Sequence, residues 1–457
     1  MKKEFGSISL AVLLASSLIV GCGTAKQPSN KTEKNPTETE FADADNVEGE
    51  KKAEEGEVIT LKWALWDWNA VYYYQPLIDE FEKQNPGIKI EAVDLGSGGT
   101  SDYVTNLATE LSGNGTDFDI ATIQSIPQYT TLVDKGVLAP LNDYIEKNGI
   151  DTSKYGGLIE QITIDGQVYE LPFRSDFWML YYNPAIFEKQ EVDMPTNDMT
   201  WQQYDEMARA VADPTPGQEI YGAHYHTWRS CVQCPAILDG KQTLAEGVYD
   251  FTKPFYEMVV KQQDEGICRN YAELKTSSLH HSDAFGQGNT AMYYMGSWQI
   301  QDFINGINAG EHQALKDNWR LAKMPHAEGV EPGSTIGTIT CVSVVEASDN
   351  KDEAWEFVKF MSGPEGAKIV AETGSFPAIM TEEAVNTIAN MEGFPQDEQS
   401  KEALYASNIY LEMPVNEHTS ELETVLNEAH DAIMTGAMGI DEGIAEMNQQ
   451  AAEILGE

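Results

Sequence analysis

The sequence predicts an α/β fold made of two lobes. From Val58 onward apolar residues alternate with polar ones, and Ile59, Leu61, Trp63 and Leu65 fall on one face of a strand. A helix of about three turns and a second alternating strand follow, which together form a βαβ unit and imply a parallel sheet with right-handed crossovers. The 457 residues are enough for two lobes that each bury a hydrophobic core.

The N-terminus has the features of an exported lipoprotein. Lys2 and Lys3 precede an apolar run over residues 5–20, which is short for a membrane span of roughly 20 residues. The run ends in LIVGC, which resembles the lipobox of bacterial lipoproteins. We therefore expect a signal peptide over residues 1–21 and lipidation of Cys22, with more than one acyl chain for stable attachment. The alternative is an ordinary secretion signal, or a membrane-spanning helix, that happens to end near a cysteine.

Residues 22–57 are predicted to be a disordered, polar and acidic tether. They are rich in Lys, Glu, Thr, Asn, Pro and Asp and contain almost no large apolar residue, so they cannot bury enough surface to offset the entropy of ordering. A flexible coil of this length has a typical end-to-end distance of roughly 30 to 35 Å. That reach suits a protein that docks on a partner in the same membrane.

The remaining elements follow the same α/β pattern. The first helix carries Leu77, Ile78 and Phe81 on one face and ends at Asn85-Pro86-Gly87. A helix over residues 103–111, a strand over 118–123 and a helix over 128–135 come next. Helices dominate the last third of the chain. Later helices are predicted over residues 200–212, 253–265, 351–361, 365–372, 421–435 and 440–455.

Composition narrows the classes of partner. The chain has 74 acidic and 29 basic residues and a net charge of −45, which argues against nucleic acid and anionic lipid surfaces as partners. From Asp397 onward Lys401 is the only lysine or arginine, and we interpret these acidic side chains as solvated helix faces. Apart from Cys22 there are four cysteines. Cys231 and Cys234 are the first candidates for a disulfide, and Cys341 is expected to be a buried thiol.

Several segments, in order, resemble the extracellular solute-binding proteins of ABC importers, of the maltose-binding, carbohydrate-type group. They are LIDEFEKQNPGIKIEAV, DYVTNLATELSGNGTDFDIATI, LVDKGVLAPLNDYI, GQVYELPFRSDFWMLYYNPAIFEK, MTWQQYDEMARAV, AFGQGNTAMYYMGSWQI and DEAWEFVKFMSGPEGAKIVAETGSFPAI. The resemblance spans nearly the whole chain, and the order and spacing of the segments are specific.

This resemblance implies a two-lobed periplasmic-binding-protein-like fold with a ligand cleft between the lobes. Each lobe is expected to hold a mainly parallel sheet flanked by helices, and neither is expected to be continuous in sequence. One lobe would take residues 58–170 and about 341–380, and the other would take residues 171–339 and about 381–457. Closure of the lobes around the ligand is the expected motion.

A sugar site needs flat aromatic side chains that stack on C–H faces and polar groups that receive hydroxyls. The segment Trp66-Asp67-Trp68-Asn69 ends the first strand, where ligands bind in open α/β sheets. Ser297 and Trp298 match a family motif whose tryptophan commonly faces the cleft, and Trp298 is the foremost candidate. A tryptophan that packs outside the cleft is the alternative.

Other candidates lie at strand ends and at the predicted crossing between lobes. Gln124 and Ser125 follow a strand, although Ser125 could instead cap the next helix. Asp176, Trp178 and, less strongly, Arg174 lie at the crossing, where a charged residue either binds sugar or bridges the hinge. Ser375 is a weaker candidate that depends on family position alone.

The segment from His224 to Cys234 allows two interpretations. As part of a sugar site it offers Tyr225, Trp228 and Arg229 for stacking and bidentate bonding. As a metal site it offers His224, His226, Cys231 and Cys234, a ligand set suited to Zn²⁺, although no known finger spacing is reproduced. The sugar interpretation is preferred, and no metal or cofactor is predicted.

The sequence thus predicts a non-catalytic, monomeric receptor on the extracellular face of a bacterial membrane. It would capture a carbohydrate, most simply an oligosaccharide, and deliver it to ABC permease subunits. The alternatives are an exported carbohydrate-active hydrolase with paired carboxylates, or a protein of the same fold that binds a metal, a polyamine or a peptide. The sequence contains no Gly-x-Ser-x-Gly, His-Glu-x-x-His or phosphate-loop motif.

Overall fold

The computed structural model describes residues 58–68, 71–96, 100–113 and 117–456. The predicted leader, Cys22 and the tether lie outside these residues. The described part contains nine strands. They are β1 (Ile59–Leu65), β2 (Ile88–Asp94), β3 (Ile120–Ile123), β4 (Leu171–Tyr182), β5 (Tyr221–His224), β6 (Thr290–Gly296), β7 (Arg320–Ala322), β8 (Ser334–Val344) and β9 (Asn408–Leu411).

Eighteen α-helices pack around these strands in the described residues. They are α1 (Tyr74–Gln84), α2 (Thr100–Ser112), α3 (Ile126–Asp134), α4 (Asn142–Asn148), α5 (Leu158–Gln161), α6 (Pro184–Gln190), α7 (Trp201–Val211), α8 (Ser230–Gln233), α9 (Lys253–Asp264), α10 (Tyr271–Ser277), α11 (His281–Gly286), α12 (Trp298–Ala309), α13 (Lys351–Ser362), α14 (Pro364–Glu372), α15 (Glu382–Ala389), α16 (Glu398–Glu402), α17 (Thr419–Met434) and α18 (Ile440–Leu455). Short 3-10 helices are Thr152–Tyr155, Cys234–Ile237, Asp250–Thr252 and Gln313–Leu315.

Local sequence signals account for several of these boundaries. Thr200 and Gln203 form a reciprocal capping box at the start of α7, which fixes the N-terminus of that helix. Ser125 caps α3, and the left-handed Gly310 ends α12. Within the described residues, no helix combines the length and the apolar character that a bilayer crossing requires.

The strands form one sheet in the order β2-β1-β3-β8-β4-β6-β5, with β7 paired to β4 and β9 to β8. The predicted βαβ unit is confirmed, because β1 pairs in parallel with β2 and Ile59 lies opposite Ile88. Parallel pairs also join β1 to β3, β5 to β6 and β8 to β9. The two longest strands, β4 and β8, run antiparallel to each other. The α/β fold class is therefore confirmed.

Two separate hydrophobic cores lie along this sheet. One contains buried residues between 61 and 173 together with residues 339–379 and Leu411. The other contains buried residues between 177 and 336 together with residues from 376 to 451. Strand β4 contributes Phe173 to the first core and Phe177 to the second, and β8 likewise contributes Ile339 and Ile336. These two strands therefore connect the cores.

Candidate functional site

A cleft of about 1130 Å³ is lined by residues that belong to elements of both cores. Strands β4 and β8, which connect the two cores, line the middle of the cleft. Alternate residues of a strand face the same way, and Arg174, Asp176 and Trp178 of β4 all line the cleft. Strand β8 adds Thr338 and Thr340 with the same spacing. The two-residue period of these strands therefore presents charged, aromatic and hydroxyl groups on one surface.

Asp176 lies at the centre of a buried polar cluster. Its carboxylate lies 2.6 Å from the Arg174 guanidinium and accepts a 2.6 Å hydrogen bond from the Ser297 hydroxyl. Arg174 also donates a 3.3 Å hydrogen bond to the Tyr73 hydroxyl. Burial lowers the pKa of Arg174, but the Asp176 carboxylate and the Tyr73 hydroxyl together outweigh this effect and raise the pKa above its usual value. Through these contacts Arg174 joins strand β4 to Tyr73 of the first core, and Asp176 joins it to Ser297 at the start of α12.

Three tryptophans cluster on one side of the cleft. Trp178 lies 6.3 Å from Trp298 and 6.5 Å from Trp228 between ring centroids, and Trp228 lies 6.3 Å from Trp298. Trp178 is buried and Trp298 is half-buried, whereas Trp228 is 39% exposed. The first two rings therefore support the third, which presents indole surface to the solvent of the cleft.

Gly296 makes room for this arrangement. A Cβ atom at residue 296 would overlap the six-membered ring of Trp298. Gly296 ends β6 opposite Trp178 of β4, and α12 starts at Trp298. The missing side chain thus allows Trp298 to fold back over the end of the strand toward Trp178.

Arg229 is buried in the wall of the cleft between two acidic side chains. Its Nη2 atom lies 3.3 Å from Glu412 and 3.1 Å from Glu423. Burial opposes the charge, yet Glu412 and Glu423 raise the pKa of Arg229. We expected the acidic residues of this C-terminal region to be solvated helix faces, and for these two that expectation was wrong. Only the fold brings them to Arg229, since nearly 200 residues separate them in sequence.

Lys275 and Asp431 form a third ion pair at the edge of the cleft. The Lys275 amine lies 3.0 Å from the Asp431 carboxylate, which also accepts a hydrogen bond from the Tyr271 hydroxyl. Burial would raise the pKa of Asp431, but the hydrogen bonds from Tyr271 and Lys275 lower it. Asp431 lies on α17 with a side chain that is 48% exposed, as expected for a solvated helix face, and it is also paired with Lys275 at the cleft.

The first core presents a smaller, polar side of the cleft. Trp66, Gln124 and Ser125 all line it. Trp66 is largely buried against Tyr103, with 5.2 Å between ring centroids. Ser125 caps α3 by accepting a 3.4 Å hydrogen bond from the Gln128 backbone, so its alternative structural role is present alongside its exposure to the cleft.

The structure places other predicted residues outside the cleft lining. Trp68 lies in a separate groove beside Asp94, and its backbone donates to that carboxylate. Tyr225 is buried and donates a 2.8 Å hydrogen bond to Gln262. Ser297 is buried and reaches the site only through Asp176. Three predicted residues remain. Asp67 adopts a left-handed backbone conformation after β1, and Ser375 is half-buried after α14. Asn69 lies outside the described residues.

The segment from His224 to Cys234 forms part of the wall of the cleft. Cys231, Cys234, Cys268 and Cys341 are buried free thiols, so the structure does not contain the disulfide considered between Cys231 and Cys234. Burial raises the pKa of the Cys231 thiol. Within the described residues, no three His, Cys, Asp or Glu side chains are arranged to hold a metal ion. His226 instead packs its ring edge against Trp228, with 4.6 Å between centroids.

Comparison with known proteins agrees with this architecture. The family model described as bacterial extracellular solute-binding protein matches residues 67–368. The chain is 23% identical over 410 residues to the lactose-binding protein of Rhizobium radiobacter, covering 85% of this chain and 92% of that protein. It is 23% identical over 383 residues to the sn-glycerol-3-phosphate-binding periplasmic protein of Pectobacterium atrosepticum, covering 79% and 83%.

Solved structures share the fold. A sugar transporter from Rhizobium etli, in an open conformation, matches with a TM-score of 0.79 and 47% identity over 86% of this chain and 99% of that chain. An ABC substrate-binding protein of Listeria monocytogenes in complex with cycloalternan matches with a TM-score of 0.70 and 21% identity over 87% and 98%. At 21% identity, the second likeness concerns the fold alone.

Proposed function

Because the chain belongs to the bacterial extracellular solute-binding proteins, we propose that it captures a carbohydrate in the cleft and delivers it to an ABC transporter permease. The ligand is an oligosaccharide that is bound and released without cleavage. The relatives named for sugars support this assignment, and the architecture of the cleft supports it independently.

The single observation that carries the proposal is the exposed indole of Trp228 in the cleft. An indole that is 39% exposed in a concave site, and backed by Trp178 and Trp298, is a rigid platform for the C–H face of a sugar ring. Thr338 and Thr340 supply hydroxyls on the adjacent strand for the polar edge of the same ring. Stacking beside hydroxyl and carboxylate groups is the combination that carbohydrate recognition requires.

The dimensions of the cleft favour more than one sugar ring. Its volume of about 1130 Å³ lies above the range of roughly 300–1,000 Å³ that is common for pockets of small ligands. Both cores contribute, with Trp66, Gln124 and Ser125 on one side and Trp228 and Trp298 on the other. A ligand that contacts both sides stabilises a closed arrangement of the lobes by its differential affinity for that state.

The proposed lobes are residues 58–170 with about 341–380 and residues 171–339 with about 381–457. The two hydrophobic cores support this division. We also propose that lipidated Cys22 anchors the monomer to the extracellular face of the membrane, with residues 22–57 as the tether. The support is the sequence pattern of the leader, and the anchor would keep captured ligand close to the permease.

A ligand screen tests the proposal. Thermal unfolding of the purified chain is measured against a panel of neutral oligosaccharides, and a saturable rise in Tm is expected with one of them. The sugar is then recovered and must be intact by chromatography. Trp298→Ala should diminish the rise, measured from the unliganded Tm of the variant itself. Cleavage of the sugar would instead indicate a hydrolase, and stabilisation only by metals, polyamines or peptides would indicate another ligand class.

A further inference from the structure

We infer that the cleft selects uncharged, hydroxyl-rich carbohydrates over sugars with a phosphate or carboxylate, because each cation among the described cleft-lining residues is already bound to a carboxylate of the protein. This inference rests on the proposed carbohydrate capture and adds the charge of the ligand. Family membership leaves that charge open, since one relative is named for lactose and another for sn-glycerol 3-phosphate.

Three cationic side chains line the described part of the cleft, and all three are paired. The pairs are Arg174 with Asp176, Arg229 with Glu412 and Glu423, and Lys275 with Asp431. The side chains of Arg174 and Arg229 are only 16% and 2% exposed, so neither can turn toward an incoming anion. An anionic ligand would have to displace a carboxylate that the fold holds in place.

Two of the helix N-termini at the cleft, those of α3 and α12, are also occupied. The N–H groups in the first turn of a helix are a common anion site. In α3, however, Pro127 has no N–H, and the Gln128 N–H is bonded to the Ser125 hydroxyl. At the start of α12, the hydroxyl of Ser297 is bonded to the Asp176 carboxylate, so a negative charge of the protein already lies at this positive helix end.

The histidines behind Trp228 add no positive charge at neutral pH. Burial lowers the pKa of His226 to about 4, and burial with the neighbouring His280 and His226 lowers the pKa of His281 to about 3. Both rings contact Trp228, with centroid distances of 4.6 Å and 5.3 Å. The Trp228 ring therefore packs against imidazole rings that are uncharged at neutral pH.

Carboxylates outnumber cationic side chains among the described residues that line the cleft. Asp176, Glu412, Glu423 and Asp431 supply four carboxylates against the three cations, and a carboxylate accepts hydrogen bonds only. Glu412 and Glu423 share a single Arg229 nitrogen, which leaves other carboxylate lone pairs for ligand hydroxyls. These carboxylates accept hydrogen bonds from the hydroxyls of a neutral sugar, whereas they repel an anionic ligand.

The test compares matched neutral and acidic sugars by titration calorimetry. The probes are lactitol with lactobionate, maltose with maltose 1-phosphate, and galactobiose with digalacturonate. We expect a neutral member to bind at least tenfold more tightly than its acidic counterpart. An acidic member that binds equally or more tightly would overturn the inference while leaving carbohydrate capture intact. If no sugar of either kind binds, the proposed function fails and the inference fails with it.

Removal of one carboxylate charge, with little change in side-chain size, locates the cause. Asp431→Asn releases Lys275, whose side chain is 45% exposed, and should improve the relative affinity for the acidic probe by about tenfold. Asp441→Asn is the matched control, because it releases Lys253 from a pair that does not line the cleft and changes the net charge equally. Selection by paired cations would be contradicted if Asp431→Asn left the ratio of neutral-sugar to acidic-sugar affinity unchanged. It would also be contradicted if that ratio changed equally in Asp431→Asn and Asp441→Asn.

Discussion

The Arg174 guanidinium and the Asp176 carboxylate lie 2.6 Å apart on the strand that connects the two hydrophobic cores. Because the two residues are separated by one position, both side chains face the cleft. Asp176 also holds Ser297, next to Trp298. The pair therefore couples the connecting strand to the start of the helix that carries a cleft tryptophan.

Removal of Asp176 should destabilise the fold strongly. Asp176→Ala leaves the buried Arg174 charge without its partner, and such a change typically costs about 3–5 kcal/mol. Urea unfolding measures the loss. Glu372→Ala, which breaks an exposed pair with Lys368, is the control and should cost under about 1 kcal/mol. Equal losses in the two variants would show that the buried pair has no special structural role.

Trp228 should supply most of the stacking energy. Trp228→Ala should weaken binding of the carbohydrate found in the screen by roughly ten- to a hundredfold, which corresponds to about 1.4–2.8 kcal/mol. Trp228→Phe should retain part of the affinity. Tyr405→Ala removes an aromatic ring of similar exposure that does not line the cleft, and it should leave the Kd unchanged. A wild-type Kd for Trp228→Ala would remove this residue from the site.

Gly296 should act on binding through Trp298. A methyl group at residue 296 would overlap the Trp298 ring, so Gly296→Ala must displace that ring from its contact with Trp178. We expect a loss of affinity approaching that of Trp298→Ala, with a change in tryptophan fluorescence. Gly87→Ala has open space around the added methyl group and serves as control. Unchanged affinity and fluorescence in Gly296→Ala would show that Trp298 does not depend on this gap.

Local sequence signals were sufficient for much of the fold. The helix expected over residues 440–455 is Ile440–Leu455, and that expected over 200–212 is Trp201–Val211. Amphipathic spacing and caps act within one helix, so a single sequence carries them. The antiparallel pairing of β4 with β8 depends on contacts between segments more than 150 residues apart, which no local pattern encodes.

The candidate site was predictable where a residue type was itself informative. Trp178 was proposed from its place at the predicted crossing between lobes, Trp228 from its stacking chemistry and Trp298 from a family motif, and the structure brings all three together. Glu423 and Asp431 were not chosen, since they are two of many acids in an acidic region and only their tertiary partners distinguish them. Tyr225 has the right chemistry, but it follows β5 with its side chain buried in the second core.

Acid should destabilise the protein through His281. Its pKa is about 6.5 when unfolded and is lowered to about 3 in the fold by burial and the neighbouring His280 and His226. As pH falls below 6.5 the unfolded state takes up a proton that the folded state does not, so stability falls with pH across this window. Between pH 7.5 and pH 5.0 this residue should account for about 2 kcal/mol of lost stability.

Urea unfolding of His281→Gln at the two pH values isolates this contribution from that of His226 and the nearby Asp302. The variant should lose about 2 kcal/mol less than the wild type on acidification. Identical losses in wild type and His281→Gln would show that His281 takes up its proton equally in both states.

Replacement of Cys22 should separate anchoring from binding. The described residues that line the cleft all lie beyond the predicted tether, so Cys22→Ser should release the protein from the cell while its Kd for carbohydrate stays that of the wild type. Fractionation of cells and titration of the released protein measure the two effects. Retention of Cys22→Ser in the membrane fraction would contradict the lipid anchor. A weakened Kd in the released protein would contradict the independence of the cleft from the tether, because it would require contacts between them.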